Sequence, residues 1–457
     1  MGEGQVRGSD NLIMGTRKEL CKTFNRRQFF KGLAVGAATT GLAGLPLNAS
    51  ARDKETVWVY NPSGVRHEGV FVDEYLRKTM DEQGKTRPAL AGQFPKLKVE
   101  RIESEDPFTT VNSLFYKRGW TDGLPVIPPT EDRVKEMLKG TDLAPEEVVA
   151  TLDPMKGQAS VSKIAANAVM AGCRPEYMPI LIASVQIIAD PNFNLLGVAT
   201  TTNPDTPLIV INGPIAKQLH INSGANAMGR GWQANATIGR ALHLVINNIG
   251  GSWPGVTDMS TLGHPGEFAN CLAENEEKNP WEPLHVELGY AREANVVTVV
   301  AAEGMQSILG SGWDSEGYLS LVSDHLAALD RSYRPVVLLF VAQDTAAMLK
   351  RDGFTKEKIR KFIYEHGRIP FSKYKKRFID TKKVQGVPDW ILKTEDPHAL
   401  IPVPLTDHLL VMVSGGTGEK SMLIPVWAAS SKVISKEVQL PPNWEELLGK
   451  ARIGGGK

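Results

Sequence analysis

Apolar and polar residues follow two periods along the chain, one typical of buried strands and the other of amphipathic helices. Short apolar runs rich in β-branched residues, such as residues 208–211 and 296–300, predict strands. In residues 233–249 the apolar positions recur every three or four residues, which predicts a long helix. Segments of the two kinds alternate from residue 148 onward. This alternation predicts an α/β fold built of layered strand–helix units.

The order of the predicted elements divides the chain into four parts, and some of that order occurs twice. A strand, a short helix and a glycine follow one another over residues 209–224 and again over residues 338–353. This is the pattern of a weak internal duplication, although any α/β protein repeats such spacings, and both interpretations stay open. The predicted parts are a leader (1–51), an N-terminal segment (52–147), a first α/β unit with a long loop (148–290), and a second α/β unit with a C-terminal segment (291–457).

The composition is that of an ordinary globular protein. The chain has 457 residues, of which 42% are hydrophobic and 23% are charged. These values exclude the disordered, coiled-coil, collagen and disulfide-dense classes, and the length is sufficient for two or three domains. The 52 basic and 51 acidic residues give a formal net charge of +1, so the charge predicts no nucleic-acid partner.

The N-terminus has the pattern of an export signal. Arg26 and Arg27 are followed by two phenylalanines and a lysine, then by a Gly- and Ala-rich stretch, and then by the small residues that end at Ala51. This pattern resembles a twin-arginine (Tat) signal peptide. The resemblance implies recognition by the Tat translocase, cleavage after Ala51, and localisation of the mature chain in the periplasm or outside the cell. A chance arginine pair before a buried helix, or an uncleaved anchor, is the alternative.

The Tat resemblance also bears on cofactors, because Tat substrates are exported folded and many carry a cofactor. After residue 51 the sequence has no CxxCH, no ferredoxin-like cysteine run and no HExxH. Haem and iron–sulfur clusters are therefore not expected, and no metal ligand is assigned. A flavin, a divalent metal bound by carboxylates, or no cofactor all remain open, so the cofactor is unknown. No later stretch reaches about 18 uninterrupted apolar residues, so no membrane span is predicted in the mature chain.

Cys173 is the first candidate catalytic residue. It lies between two predicted helices, directly before Arg174 and Pro175. A helix N-terminus and a neighbouring cation both favour a thiolate, so Cys173 could act as a nucleophile or in redox chemistry. A buried structural thiol and a disulfide with Cys271 in an oxidising compartment are the alternatives.

Carboxylates in irregular segments provide the other candidate catalytic groups. Asp122 lies beside Trp120 in a Gly- and Pro-rich segment over residues 118–129, which has no helical or strand period. Glu274 lies in a long loop over residues 252–283, three positions after Cys271, and the two are predicted to share a helical face. Asp258, His264 and Glu267 lie in the same loop, and they add candidate acid–base groups or oxygen-type metal ligands.

Candidate ligand-binding residues come from one helix face and from the ends of strands. In the helix over residues 233–249, Arg240, His243 and Asn247 lie opposite the apolar side, where Arg240 offers a fork for a carboxylate; a solvated face is the alternative. Ligands of parallel sheets bind beyond the carboxyl ends of the strands. The glycine-rich loop over residues 414–421 would form either an anion-binding nest or a plain turn, and it does not match the phosphate-loop motif. The binding candidates are therefore Trp120, Arg240, Asn247, Asn212, Gly415 and Gly416.

Three segments carry a family resemblance. They are residues 118–125 (RGWTDGLP), 168–177 (AVMAGCRPEY) and 234–241 (ANATIGRA). Together they resemble an uncharacterised bacterial family associated with UGSC-motif proteins, over roughly residues 106–368. The resemblance implies thiol or redox chemistry and assigns no catalytic residue. The chain has no Cys-Gly-Ser-Cys motif of its own.

Two classes of function follow from these patterns. The first is an exported enzyme that acts on a small, anionic molecule, with oxidoreductase or thiol-related chemistry. The second is a periplasmic small-molecule-binding protein without catalysis. In both, we expect one cleft lined by residues 120–122, Cys173, the Arg240 and Asn247 face, and the loop over residues 252–283.

Overall fold

Strands and helices alternate through the part of the chain that the computed structural model describes, and the predicted α/β class is confirmed. That part consists of residues 54–63, 99–310, 312, 314–329, 336–381, 387–403, 408–427 and 432–454, so the predicted signal residues Arg26, Arg27 and Ala51 lie outside it. The strands are β1 (Glu55–Tyr60), β2 (Val99–Ser104), β3 (Val148–Leu152), β4 (Gly157–Ser160), β5 (Thr206–Asn212), β6 (Cys271–Ala273), β7 (Val296–Ala302), β8 (Gln306–Leu309), β9 (Val337–Val341), β10 (Arg368–Pro370), β11 (Leu400–Pro402), β12 (Leu409–Val413), β13 (Lys420–Pro425) and β14 (Ile434–Glu437). The α-helices are α1 (Pro107–Lys117), α2 (Glu131–Met137), α3 (Val161–Ala171), α4 (Met178–Ile188), α5 (Leu195–Val198), α6 (Pro214–Gln218), α7 (Gln233–Val245), α8 (Leu284–Glu287), α9 (Ser315–Ala328), α10 (Gln343–Arg351), α11 (Lys356–His366), α12 (Phe371–Tyr374), α13 (Asp389–Leu392) and α14 (Trp444–Gly454).

Two four-stranded sheets form the centre of the fold, with the strand orders β14-β7-β5-β6 and β12-β9-β13-β8. In the first sheet, β5 is parallel to β6 and antiparallel to β7. In the second sheet, β9 is parallel to β12 and antiparallel to β13. Along the chain these strands follow in the order β5, β6 and β7 in the first sheet and β9, β12 and β13 in the second. Helices follow β5 and β9 in both cases. This is the arrangement that an internal duplication predicts.

The edge strands are exchanged between the two sheets. The strand β8 follows β7 along the chain but pairs with β13, and β14 follows β13 but pairs with β7. Where the two crossing segments meet, the Glu303 amide donates to the Pro425 carbonyl and the Trp427 amide donates to the Ala301 carbonyl, each at 2.9 Å. We call the part of the chain up to the end of β8 the first half and the part from α9 onward the second half. Each half therefore supplies one edge strand to the sheet of the other.

The sheets and helices form four layers. Successive residues of a strand point to opposite faces, so each sheet contributes to two cores. In β9, Leu339 packs with helices α9, α10 and α11, whereas Phe340 packs into a core between the two sheets. In β5, Ile209 packs with helices α3, α4 and α7, whereas Val210 packs into the same inter-sheet core. Burial on both faces explains why these strands are apolar at nearly every position.

The observed elements differ from the predicted ones at two places that matter for the site. The loop over residues 252–283 contains the strand β6, so the prediction that Cys271 and Glu274 share a helical face is wrong. Cys271 points into the core beneath the helices, and Glu274 lies just beyond the end of β6. The long helix α7 ends in a π-turn over Ile246–Gly250, which the periodicity did not distinguish from the helix. Among the described residues, none of the helices combines the length and the apolar character needed to cross a bilayer.

Candidate functional site

An ion pair between Asp122 and Arg240 connects the segment over residues 118–125 to helix α7. The guanidinium of Arg240 donates from Nε to Asp122 Oδ2 at 2.6 Å and from Nη2 to Asp122 Oδ1 at 2.9 Å. The same Nη2 atom donates to the carbonyl of Pro125 at 2.9 Å. Both side chains are largely shielded from solvent, with 16% and 12% of their surfaces exposed. This bidentate geometry fixes Asp122 in place and directs Nε and Nη2 of the guanidinium to partners within the protein.

Two neighbouring amides on the π-turn hold the other end of this segment. Asn247 Nδ2 donates to the Gly119 carbonyl at 3.0 Å, and Asn248 Nδ2 donates to the Trp120 carbonyl at 3.1 Å. Asn248 also donates to Asn167 Oδ1 on α3 at 2.7 Å. A π-turn inside a helix is frequent at functional sites. Here it presents consecutive amides to consecutive carbonyls of the segment.

A cavity of about 290 Å³ lies between this segment, α5, α7, the start of β5 and the loop after the π-turn. We call it the acidic cavity, because carboxylates predominate among the titratable groups on its wall. It lies at the amino end of β5, opposite to the end at which the rule for parallel sheets places ligands. The titratable residues that line it are Asp122, Asp205, His243, Asp258 and Glu267.

His243 is held in its neutral form in the acidic cavity. Its Nε2 atom lies 3.0 Å from the hydroxyl of Thr206, the first residue of β5. Burial is the main factor that lowers the pKa of His243 to about 4, and the neighbouring His264 lowers it further, whereas Asp122 opposes the change. A neutral imidazole at pH 7 can accept a proton from a bound molecule.

The pKa of Glu267 is raised, which is the direction that favours the protonated carboxyl group. Burial raises the pKa of its carboxyl, and the nearby carboxylate of Asp258 raises it further. A short turn positions the side chain, because Glu267 Oε1 accepts from the His264 amide at 3.3 Å while His264 Nδ1 accepts from the Gly266 amide at 3.0 Å. The cavity thus combines a neutral imidazole with a carboxyl group whose pKa is raised, and groups shifted in these two directions are typical of acid–base sites.

The residues predicted from the sequence separate into those on the cavity wall and those behind it. Asp122 and Asn247 line the acidic cavity. Arg240 lies behind Asp122, and its guanidinium is engaged there. Trp120 is 1% exposed and packs edge-on against Phe115, at 5.1 Å between ring centroids, so it anchors the segment within the core.

Cys173 occupies a structural position rather than an activated one. Its Sγ donates to the Thr237 carbonyl on α7 at 3.2 Å, and burial raises its pKa to about 12. The helical segment after Cys173 begins as a three-residue 3₁₀ turn (Pro175–Tyr177) that leads directly into α4. The Arg174 guanidinium pairs with Glu176 at 2.6 Å. Cys173 and Cys271 are both free thiols, and burial also raises the pKa of Cys271. Neither cysteine is among the residues that line the acidic cavity.

Asn212 and Glu274 form a hydrogen bond with each other, and neither of them lines the acidic cavity. The Glu274 carboxylate accepts from Asn212 Nδ2 at 2.7 Å, from Asn279 Nδ2 at 2.9 Å and from the Leu284 amide at 2.8 Å. Burial raises the pKa of Glu274, and the nearby Glu276 raises it further, whereas the charge of Lys356 and the hydrogen bonds from Leu284 and Asn212 oppose the rise. The cluster joins the end of β5 to the segment after β6, and this position supports a structural role.

Gly415 and Gly416 line a second cavity, of about 410 Å³, which shares no lining residue with the acidic cavity. Of the segments predicted to line one cleft, residues 121–122, Asn247 and part of the loop over residues 252–283 line the acidic cavity, whereas Cys173 and Arg240 do not. Within the described part of the chain, no group of three or more His, Cys, Asp or Glu side chains is arranged to hold a metal ion.

His243 and Asp205 line the acidic cavity, but neither was among the site residues predicted from the sequence. His243 lies on the predicted polar face of α7, but its spacing from Arg240 and Asn247 does not separate a proton acceptor from a solvated side chain. Asp205 directly precedes β5, and an acidic residue at the boundary of a buried strand is the signal that points to it.

Comparison with known proteins identifies no function for the acidic cavity. The resemblance of residues 118–125, 168–177 and 234–241 to the UGSC-associated family stays a prediction. No protein-family model matches the chain, and no curated protein matches it.

Proposed function

We propose that the protein is an exported enzyme that performs proton-transfer chemistry on a small polar molecule bound in the acidic cavity. One observation carries the proposal: a neutral histidine and a carboxyl group that favours its protonated form line the same cavity. In this reaction, His243 accepts a proton from the substrate and Glu267 donates one to the group that leaves or rearranges.

The charge of the cavity wall favours a neutral or cationic substrate. The expectation of an anionic ligand rested on Arg240, whose guanidinium is engaged by Asp122. Asp205, Asp258 and Glu267 add carboxyl groups to the wall. The ionised carboxylates among these groups would repel a bound anion, whereas the protonated form of Glu267 that the proposal needs adds no charge.

We assign the chemistry to His243 and Glu267 rather than to the two cysteines. Thiol chemistry requires a thiolate, and burial raises the pKa of both cysteines. His243 and Glu267 would supply the proton transfers of an isomerisation or of an elimination of water, in which no electrons are exchanged with a cofactor.

The experiment begins by finding ligands and then asks whether they are converted. Wild-type protein is screened by thermal shift against matched sets of small polyols, amines and carboxylates, and ligands that stabilise it are incubated with it and followed by NMR. We expect stabilising ligands among the polyols and amines, with conversion that is lost in both His243→Gln and Glu267→Gln. Lys361→Met, which changes an exposed helix residue, is the matched control.

Two results would contradict the proposal. Ligands that bind in the acidic cavity without conversion by the wild type would indicate a small-molecule-binding protein. Conversion that survives in both variants would exclude His243 and Glu267 as the proton-transfer groups.

Export through the Tat pathway is the second part of the proposal, and its support is the N-terminal motif, which lies outside the described residues. Replacing Arg26 and Arg27 together by lysine keeps the charge and removes the paired arginines. We expect this precursor to accumulate in the cytoplasm, while Arg17→Lys is processed normally. Equal periplasmic amounts of the two variants would contradict export by this route.

A further inference from the structure

The second cavity has an apolar floor formed by both sheets. Leu272 comes from β6 of the first sheet, and Phe340 and Met422 come from β9 and β13 of the second. These three side chains belong to the core between the sheets or pack against it. Two loops complete the wall, residues 226–229 from the first half and residues 414–417 from the second. We call it the inter-sheet cavity, and its volume of about 410 Å³ is within the range of small-molecule sites.

The glycine-rich loop on this wall is held against the first half of the chain. A Cβ atom on Gly416 would lie 2.9 Å from the Cα of Ala225, so only glycine allows this approach. The Gly415 amide donates to the Ser223 carbonyl at 2.8 Å, and the Ser414 hydroxyl donates to the same carbonyl at 3.1 Å. The cavity wall is therefore preformed and does not need a ligand to assemble it.

Several polar side chains on this wall are engaged within the protein. The hydroxyl of Ser421 forms a hydrogen bond with the hydroxyl of Tyr318, and Asn226 Nδ2 donates to the Arg230 carbonyl at 2.8 Å. Lys420, the one charged residue among those that line the cavity, has an interaction of its own within the protein. Since a charge that leaves water needs a partner, a wall of this kind favours an uncharged ligand.

The wall also places sulfur and aromatic surface side by side. Met422 on β13 lies opposite Phe340 on β9 and opposite Ser307 on β8, so the three residues form one row across the second sheet. Met305, two residues before Ser307, and Met228, on the loop from the first half, add two more thioethers to the wall. Thioether sulfur makes favourable contacts with aromatic rings, and the unbranched methionine side chain adapts to their shape. This lining is therefore suited to an aromatic ligand.

We propose that the inter-sheet cavity binds a small, uncharged aromatic molecule. Its ring lies between Leu272 of the first sheet and the row of Phe340 and Met422 in the second, and it contacts the methionine sulfurs. The site is separate from the acidic cavity and does not depend on the function proposed there, since the two cavities share no lining residue.

Calorimetry with four probes of one bicyclic skeleton tests this proposal. The uncharged aromatic probe is 2-naphthalenemethanol, the charged probes are 2-naphthoate and 2-naphthylmethylammonium, and the saturated analogue is decahydro-2-naphthalenemethanol. We expect saturable binding of 2-naphthalenemethanol to the full protein, with both ions bound at least about 10-fold more weakly, because their charge must leave water for an apolar wall. The saturated analogue should bind at least about 3-fold more weakly, because it has no aromatic ring for the sulfurs to contact.

Methionine substitutions separate the sulfur contacts from apolar packing. Met305→Leu and Met422→Leu, combined in one protein, keep apolar side chains of similar volume and remove two of the three sulfurs on the wall. We expect this double variant to bind 2-naphthalenemethanol and its saturated analogue with similar affinity. Met259→Leu, at an exposed position outside the cavity, is the matched control and should keep the wild-type preference.

Blocking variants locate the binding. Ser307 and Thr417 are exposed residues of the cavity wall, so Ser307→Trp and Thr417→Trp each fill the opening without replacing a core residue. We expect both variants to unfold at the wild-type urea concentration and to lose binding of 2-naphthalenemethanol. Binding that persists in a folded blocking variant, tighter binding of either ion than of the uncharged probe, equal affinity for the aromatic probe and its saturated analogue in the wild type, or no saturable binding of 2-naphthalenemethanol would each overturn the proposal.

Discussion

At the scale of single residues, His243 is a titratable group whose pKa in the folded protein differs strongly from its ordinary value. Burial and the nearby His264 lower its pKa from the ordinary value of 6.5 to about 4. Between these two pH values the unfolded chain binds a proton at this position and the folded protein does not. The free energy of unfolding therefore rises as the pH rises from 4 to 6.5, and this contribution is complete above pH 6.5.

His243→Gln removes this dependence and so provides the test. We expect the wild type to lose about 3 kcal/mol more stability than the variant between pH 7 and pH 4, because one pKa unit corresponds to about 1.4 kcal/mol. Urea unfolding at both pH values measures the difference. His264 is present in both proteins, so its own titration is common to the comparison. Equal losses would show that His243 titrates normally in the folded state.

The two cysteines provide a second prediction at this scale. Because the pKa of Cys173 is about 12, iodoacetamide at pH 8 should modify it at least about 100-fold more slowly than an exposed thiol, with or without reductant. Cys173→Ser keeps a donor for the Thr237 carbonyl and should cost under about 1 kcal/mol, whereas Cys271→Ser buries a hydroxyl in the core and should cost about 1–3 kcal/mol. Rapid alkylation of Cys173 in the folded protein would contradict this prediction and would show that its thiol is reactive.

These residues also show why roles were harder to predict than positions. The sequence places Arg240 on a polar helix face, but its partner Asp122 is 118 positions away along the chain. Likewise, Arg174 stands beside Cys173, yet its guanidinium pairs with Glu176. A partner distant in sequence, or a side chain that turns away from its neighbour, leaves no local pattern. Such contacts decide whether a charged group is available to a ligand.

At the scale of elements, the π-turn at the end of α7 positions the segment that forms one wall of the acidic cavity. Asn248→Ala would leave the Trp120 carbonyl and Asn167 Oδ1 without this donor inside the core. We expect a loss of about 2–4 kcal/mol in urea unfolding, because buried acceptors would lose their partner. Asn247→Ala, at a half-buried position, should cost about 1 kcal/mol. The reverse order of the two losses would contradict the role given to the π-turn.

The elements that were predicted well are those with a long, uniform pattern. The periodicity over residues 355–366 matches α11 (Lys356–His366), and the apolar run over residues 409–413 matches β12 (Leu409–Val413). The strand β6 has only three residues within an otherwise irregular stretch, so no period is visible there. The π-turn continues the apolar period of the helix before it. Short elements and local changes of helix type depend on tertiary contacts, which a periodic pattern does not record.

At the scale of the whole molecule, the exchanged strands make each half depend on the other. The order of strands along the chain does not state which sheet β8 and β14 join, because both have ordinary short-strand patterns. The segment after β14 extends this dependence: Trp444 and Leu448 of the C-terminal helix α14 pack in the core of the first half. Trp444 Nε1 also donates to Gln218 Oε1 on α6 at 3.2 Å. The last part of the chain thus stabilises the half that is synthesised first.

Leu448→Ala tests this dependence, because the side chain is 3% exposed and its loss leaves a cavity in the first core. We expect the variant to lose about 2–4 kcal/mol and still to unfold in a single transition, coincident by circular dichroism and tryptophan fluorescence. Lys450→Ala, at an exposed position of the same helix, should stay within about 0.5 kcal/mol of the wild type. If the halves were independent, Leu448→Ala would instead split the unfolding curve into two transitions, with only the first half destabilised. A single transition shifted as a whole is what the strand exchange requires, since neither sheet keeps all four of its strands when the other half unfolds.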